Sequence, residues 1–170
     1  MTIHTQFLLQ KLNQSSLTIR TGIEIIDRMC EVLAKSELIV ISALPQMGKT
    51  SLMLNMVLDI IYNQELGVGI VSLENAKYKL LEKIVFLDAN VAYHKSQNTE
   101  LLTDNDSKLI DNNFRQLSES NITIRSPIGI PMNQLTKVCK RMVGKGAEII
   151  FIDSILSIHI KRIPLYRSKS

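Results

Sequence analysis

Residues 43–50, with the sequence Ala-Leu-Pro-Gln-Met-Gly-Lys-Thr, constrain the fold of this chain more than any other segment. A continuous apolar run at residues 37–42 precedes them and predicts a buried strand, whereas residues 51–64 follow with the apolar spacing of a helix. The segment matches the pattern G-x-x-x-x-G-K-[ST] at every fixed position except the first, where Ala43 replaces glycine. Strand, loop and helix in this order form a loop that can surround phosphate groups.

The residue types in this loop suit a nucleoside triphosphate. Gly48 leaves room for phosphate oxygens near the backbone N–H groups, and the following helix directs its positive end at the anion. Lys49 is predicted to meet the β and γ phosphates, and Thr50 to place its hydroxyl on Mg²⁺. The predicted ligand-binding residues are Ala43, Pro45, Gln46, Met47, Gly48, Lys49, Thr50 and Ser51. The alternative is a chance match, but the flanking strand and helix favour nucleotide binding.

Two carboxylates follow other predicted strands. Asp153 ends the apolar run at residues 148–153 and is predicted to support Mg²⁺, with the capping of a turn as the alternative. Glu74 follows the strand predicted at residues 68–73 and could orient the water that attacks the γ phosphate. The alternative for Glu74 is a helix N-cap. Because ligands gather at the carboxyl ends of parallel strands, Thr50, Glu74 and Asp153 are expected at one edge of the sheet.

Strands and helices are predicted to alternate along the chain, which indicates an α/β fold with a largely parallel sheet. Apolar residues make up 45% of the 170 residues but aromatic residues only 5%, so the core is built from aliphatic side chains. Further helices are predicted at residues 3–12, 21–33, 76–89 and 107–117 and around Leu135, a polar loop at 96–106, and a further strand at 122–124.

The charge and the cysteine content of the chain exclude few classes of function. The net charge of +4 suggests a weak affinity for polyanions, and part of the excess lies in the basic tail at residues 161–170. Cys30 and Cys139 are far apart and are predicted to be buried, reduced thiols rather than a disulfide or zinc ligands. No run of apolar residues is long enough for a membrane span, and residues 1–16 do not form a secretory signal, so a cytoplasmic protein without membrane contact is expected.

Several segments together resemble the C-terminal domain of DnaB-type replicative helicases. They are the loop at residues 43–50, Thr-Gly-Ile-Glu-Ile-Ile-Asp at 21–27, Ser-Leu-Glu at 72–74, residues 122–135, and Ile-Ile-Phe-Ile-Asp at 149–153. The order and approximate spacing are those of the family, in which alanine at the first loop position is typical. The resemblance covers roughly residues 21–158.

The resemblance implies a three-layer RecA-like ATPase fold, assembly into hexameric rings, DNA as a partner, and hydrolysis of ATP with Mg²⁺. In this assignment Lys49 and Glu74 are catalytic, and Thr50 and Asp153 hold the metal ion. We expect residues 1–20 to form an amphipathic linker or arm, which either folds back on its own domain or docks on a neighbouring subunit. Residues 21–160 are expected to form the partial ATPase core, and residues 161–170 a disordered tail, with a DNA-binding patch as the alternative for the tail.

The chain also departs from the family pattern. The family usually carries Tyr-Leu-Gln after its aspartate, whereas Ser154, Ile155 and Leu156 stand here, so the glutamine that senses the γ phosphate is missing. The resemblance also implies a core that is incomplete at its C-terminal side, with an exposed sheet edge and a tendency to associate. Besides a DNA-helicase-like ATPase, the sequence therefore allows a nucleotide-binding remnant or regulatory fragment that joins a full-length helicase, or a RecA-like ATPase of another class.

Overall fold

The computed structural model of the protein describes residues 19–29 and 37–155. The chain forms two compact units, Met1–Leu66 and Gly67–Ser170. The predicted helix at residues 3–12 and the basic tail at residues 161–170 lie outside the described residues, so their structures stay predictions. Within the described ranges, no helix is both long enough and apolar enough to cross a membrane.

Helices α1 (Glu24–Met29) and α2 (Lys49–Tyr62) are the regular elements described in the first unit. The longer helix, α2, begins two residues earlier than its apolar spacing predicts, because Gly48 in a left-handed conformation directs the chain into its first turn. Its apolar stripe is buried at Met53, Leu54, Met56, Val57, Ile60 and Ile61. Burial of this stripe, rather than side-chain capping, stabilises α2, since Gly48 makes no side-chain cap hydrogen bond.

The prediction of a buried strand at residues 37–42 is wrong. These residues have no regular secondary structure, and Leu38 and Val40 are 89% and 67% exposed. A strand requires a neighbouring strand that pairs with its N–H and C=O groups, and an apolar sequence alone does not provide one. The apolar run therefore has no regular secondary structure and is exposed in the described structure.

The second unit contains a parallel sheet with the strand order β2-β1-β3. Its elements are β1 (Val68–Ser72), α3 (Lys77–Asp88), 3-10 turns at Tyr93–Gln97 and Thr99–Leu101, α4 (Asp104–Glu119), β2 (Ile122–Arg125), α5 (Met132–Val143) and β3 (Ile149–Asp153). Val68 is paired with Ile122 on one side and with Ile149 on the other. The alternation of strands and helices, and the parallel direction of these strands, are as predicted.

Helix α5 packs on the sheet through an aliphatic cluster. Its buried members are Val71, Ile130, Leu135, Met142 and Ala147. All five residues of the central strand β1 are buried. Each Å² of apolar surface removed from water stabilises the fold by roughly 25 cal/mol. The cluster therefore holds α5 against the sheet that carries the candidate carboxylates.

Helix α4 begins at Asp104, earlier than predicted, and the loop predicted at residues 96–106 is replaced in part by the two 3-10 turns. A capping box causes the early start, because Thr103 Oγ1 accepts from Asp106 N at 3.1 Å and Asp106 Oδ2 accepts from Thr103 N at 3.0 Å. Lys95 Nζ donates to the same Oδ2 at 2.7 Å. The carboxylate of Asp106 thereby joins the 3-10 turn to the start of α4.

Candidate functional site

The loop at residues 43–50 bends tightly before α2. Met47 N donates to Leu44 O at 3.3 Å, and Gln46 and Gly48 have positive φ angles of 63° and 82°. Apart from adjacent residues, no heavy atom of the described structure lies within 4 Å of the position that a Cβ on Gly48 would take. The loop is therefore open where a phosphate group would have to approach its backbone.

Lys49 closes this loop on itself. Its Nζ donates to the carbonyl oxygens of Ala43 and Leu44, both at 3.0 Å. The side chain thus bends back over the loop from the first position of α2, where the helix carries N–H groups without intrahelical partners. An ammonium group and the positive end of a helix then act on the same short stretch of backbone.

The other residues predicted to bind a nucleotide lie in the same loop and in the first turn of α2. Pro45, Gln46 and Met47 are exposed, and Thr50 is half-buried in the first helical turn. Ser51 O accepts from Asn55 Nδ2 at 2.8 Å, which continues the hydrogen bonding along the helix surface. The structure therefore places these residues around one loop, and their roles stay predictions.

In the second unit, the predicted carboxylates lie at the carboxyl ends of neighbouring strands. Ser72 on β1 is paired with Asp153 on β3, and Leu73 N continues the ladder by donating to Asp153 O at 2.6 Å. Glu74 follows at once and is exposed, whereas Asp153 is only 7% exposed. The structure brings Glu74 and Asp153 to the same edge of the sheet, as predicted from the parallel arrangement.

The turn that carries Glu74 is held by serine side chains. Ser72 Oγ donates to Asn75 O at 2.7 Å and accepts from Asn75 N at 3.1 Å. Ser126 Oγ, after β2, donates to the same carbonyl oxygen at 2.8 Å, and Ser154 Oγ, after β3, donates to Glu74 Oε1 at 3.0 Å. Sequence reasoning did not find this network, since each serine follows or ends a different strand.

The alternative interpretation of Glu74 as a helix N-cap is wrong. The N-cap of α3 is Ala76, and no side chain forms a cap hydrogen bond there. Glu74 therefore has no capping role that would explain its position at the end of β1.

The segment at residues 21–27 forms a compact hydrogen-bonded turn. Thr21 donates from both N and Oγ1 to Asp27 Oδ1 at 2.7 Å, and Ile23 N donates to Thr21 Oγ1 at 3.1 Å. Burial raises the pKa of Asp27, but the hydrogen bonds from Thr21 outweigh it, so the pKa is lowered overall. Gly22 has a φ of 74°, and a side chain there would collide with Asp59. This segment has a well-defined local structure that its sequence pattern did not reveal.

A basic groove of about 490 Å³ lies between β2 and the end of α5. Its charged lining residues are Arg125, Arg141 and Lys145. None of these cations forms an ion pair with a carboxylate of the described residues. Helix α5 itself contains no acidic residue, so the groove has an unbalanced positive charge that suits a polyanion.

Curated relatives of this chain are replicative helicases. It is 30% identical over 143 residues to the replicative DNA helicase DnaB of Treponema pallidum, which covers 83% of this chain and 32% of that protein. It is also 30% identical over 138 residues to the replicative DNA helicase DnaC of Bacillus subtilis, which covers 79% of this chain and 30% of that protein. The chain thus spans about a third of the length of these relatives.

Solved structures share the fold. A structure described as an ATPase domain matches with a TM-score of 0.79 and 18% identity, over 95% of this chain and 58% of that chain. A DnaB-like replicative helicase, solved in a study of its interactions with primase, matches with a TM-score of 0.76 and 19% identity, over 95% of this chain and 39% of that chain. The α/β fold is therefore RecA-like. Residues 18–168 match the DnaB-like helicase C-terminal domain, and the chain belongs to that family.

Proposed function

We propose that this chain binds ATP with Mg²⁺ as a DNA-helicase-like P-loop ATPase of the replicative DnaB type, acting in DNA replication. The loop at residues 43–50 carries the proposal. Gly48 at a φ of 82° leads directly into α2, the space beside it is open, and Lys49 bends over the loop carbonyls. This is the local geometry that a loop around phosphates requires.

Backbone and side-chain groups of the loop are assigned different contacts with the nucleotide. Backbone N–H groups of the loop donate to the phosphate oxygens, except at Pro45, which has no N–H group, and at Met47, whose N–H donates to Leu44 O. Lys49 exchanges its contacts with the loop carbonyls for contacts with the β and γ phosphates. Membership in the family supports this assignment. Among the described residues the ammonium group donates to uncharged carbonyl oxygens, so the exchange adds the Coulomb attraction of an ionised acceptor to each hydrogen bond.

The side chains assigned to the metal ion have the chemistry that Mg²⁺ requires. Thr50 has a hydroxyl in the first turn of α2, Asp153 has a carboxylate at the end of β3, and Mg²⁺ takes oxygen ligands of these kinds. A magnesium ion bound with the triphosphate would neutralise charge on the phosphate oxygens. Glu74 orients the attacking water or accepts its proton, which its exposed position at the strand end permits.

We propose DNA as the polymeric partner. The relatives are named replicative DNA helicases, and the unbalanced positive charge of the groove formed by Arg125, Arg141 and Lys145 supports contact with a phosphate backbone. Contacts of lysine and arginine side chains with the phosphate backbone do not depend on the base sequence.

We also propose assembly, either as a homo-hexamer or with a full-length helicase. Leu38, Val40 and Leu44 are exposed by 67% or more, and exposed apolar segments of this kind favour association. Light scattering behind a sizing column, with and without an intact family member, measures the assembly. If the chain is a monomer and does not bind the intact helicase at micromolar concentration, the proposed assembly is contradicted.

Calorimetric titration with Mg-ATP tests nucleotide binding. Lys49→Ala should weaken binding by roughly ten- to a hundred-fold, because a hydrogen bond to a charged group contributes about 1.5–3 kcal/mol. Lys77→Ala is the matched control, since Lys77 is likewise the first residue of a helix, α3. Equal binding by the wild type and Lys49→Ala would show that the loop does not hold the triphosphate.

Phosphate release then tests hydrolysis separately. Glu74→Gln should lower phosphate release by roughly 10²- to 10⁴-fold relative to the wild type while Mg-ATP still binds, since the amide cannot accept the proton of water. Addition of DNA should stimulate release, and a stronger response to forked than to linear DNA separates the replicative class from other RecA-like ATPases. Binding without any release would support the alternative of a catalytically impaired nucleotide-binding protein.

A further inference from the structure

The carboxylate of Glu74 is fixed from the neighbouring strand. Ser154 Oγ donates to Glu74 Oε1 at 3.0 Å. These residues follow β1 and β3, whose register pairs Ser72 with Asp153, and the hydrogen bond from Leu73 N to Asp153 O extends that register by one step. Sheet pairing therefore places the hydroxyl beside the carboxylate, and a serine side chain is too short to reach it from most other positions.

The backbone that carries Glu74 is fixed as well. Asn75 O accepts from Ser72 Oγ at 2.7 Å and from Ser126 Oγ at 2.8 Å, so the ends of β1 and β2 both hold the turn. Among these serines, Ser154 contacts the carboxylate itself, whereas the other two contact main-chain atoms of Asn75. The contribution of Ser154 is thus to orient the Glu74 side chain on a turn that is already held.

Orientation matters for the proposed role of this side chain. An ionised carboxylate has two oxygens that accept hydrogen bonds, and a hydroxyl bound to one of them leaves the other for water. An exposed glutamate without such a contact samples several rotamers, and a misplaced base loses much of its effect on the rate. We infer that Ser154 is a positioning residue that holds Oε1 of Glu74, so that Oε2 faces the attacking water. The inference rests on the proposed function.

Steady-state hydrolysis by the protein with Mg-ATP tests this role. Ser154→Ala should lower kcat roughly tenfold, equivalent to about 1.4 kcal/mol of activation free energy, while the calorimetric affinity for Mg-ATP stays the same. Ser154→Thr keeps a hydroxyl on the same carbon and should restore most of the rate. The matched control is Ser118→Ala, which removes a hydroxyl that donates to Phe114 O at 2.7 Å within α4 and should leave kcat unchanged.

A double variant separates positioning from a general effect on the fold. In single-turnover reactions with excess protein, Ser154→Ala should have no further effect in the Glu74→Gln background, because the hydroxyl acts through the missing carboxylate. The same loss in both backgrounds, or equal rates for Ser154→Ala and Ser154→Thr, would overturn the inference.

The contact can also be measured without turnover, so that it is judged even if the proposed hydrolysis fails. The ¹³C resonance of the Glu74 carboxyl group, assigned by its loss in Glu74→Gln, should shift in Ser154→Ala and stay in place in Ser118→Ala. An unshifted resonance in Ser154→Ala shows that the hydroxyl does not hold the carboxylate. If Ser154→Ala shifts the resonance but the wild-type chain releases no phosphate, the proposed hydrolysis is overturned and the contact between Ser154 and Glu74 is not.

Discussion

Lys49 and Ala43 are joined across the loop between them, since Lys49 Nζ donates to Ala43 O at 3.0 Å and to the adjacent carbonyl of Leu44 at the same distance. The lysine expected to contact phosphate therefore also holds the start of the loop close to its end. An ammonium group has three donors, so these two contacts leave one. In the proposed complex, contact of Lys49 with more than one phosphate oxygen would replace at least one of these bonds, which would couple the conformation of the loop to occupancy.

Lys49→Ala should loosen the loop even in nucleotide-free protein. Amide exchange of residues 44–48, followed by mass spectrometry, should become roughly two- to five-fold faster, because each lost hydrogen bond contributes on the order of 1 kcal/mol or less at an exposed position. The melting temperature should change little. Lys77→Ala, at the first position of α3, should leave the exchange of this loop unaltered. Unaltered exchange in Lys49→Ala would mean that the lysine does not hold the loop.

Gly22 and Gly48 both have a positive φ, of 74° and 82°, but differ in their surroundings. Alanine in the left-handed region costs roughly 1–2 kcal/mol at either position. At Gly22 the added Cβ also meets the side chain of Asp59, whereas at Gly48 the space is open. Gly22→Ala should therefore lower the free energy of unfolding in urea by about 1–3 kcal/mol more than Gly48→Ala does.

The same pair separates folding from binding. Gly48→Ala should weaken Mg-ATP binding more than its modest loss of stability explains, because the new methyl group occupies the space beside the loop backbone. Gly22→Ala, in protein that remains folded, should bind Mg-ATP almost normally. The reverse order of affinities would contradict the assignment of the open space at Gly48 to a phosphate.

The sequence predicted most of the second unit. Short aliphatic runs near Val68, Ile122 and Ile149 became parallel strands because each can pair with a neighbour, and the apolar spacing around Leu135 became the helix that covers them. The positions of Glu74 and Asp153 followed from this topology, since parallel strands bring their carboxyl ends to one edge. Local pattern was sufficient where each element has its partners within the same unit.

Two features could not be predicted, and both depend on distant pairing. The apolar run at residues 37–42 has the composition of a strand, but Leu38 and Val40 are exposed because no described strand pairs with the run. The bond from Ser154 to Glu74 joins residues 80 positions apart and depends on the exact register of β1 and β3. Composition contains no information about which strands pair, or in which register.

Asp106 should make stability depend on pH in the acid range. The hydrogen bond from Lys95, followed by that from Thr103 N, lowers the pKa of this carboxyl from 3.8 to about 2. A carboxyl whose pKa is lower in the folded state stabilises the fold above pH 3.8, and this contribution is lost as the pH falls towards 2. Asp106→Asn should remove that part of the pH dependence, as measured by urea unfolding between about pH 2 and 6.

Two substitutions at the start of α4 serve as controls for Asp106. Asp104→Asn keeps both the capping box and the contact with Lys95, so its stability should retain the acid dependence. Thr103→Ala removes the cap and should cost about 1 kcal/mol at neutral pH. If Asp106→Asn and the wild type lost stability in parallel as the pH falls, the carboxylate would not be responsible for the acid dependence.

The basic groove should determine the salt dependence of DNA binding. Each phosphate contact with single-stranded DNA adds about 0.7 to the slope of log affinity against log salt concentration. Replacement of Arg125, Arg141 and Lys145 by alanine should therefore reduce the slope by roughly 2, as measured by fluorescence anisotropy with a labelled oligothymidine between about 50 and 200 mM salt.

A matched triple variant at Lys79, Lys108 and Arg115, which are exposed on α3 and α4, removes the same charge from a surface outside the groove lining. If both triple variants reduced the slope equally, net charge rather than the groove would account for binding. An unchanged slope in the groove variant alone would assign DNA binding to another part of the chain.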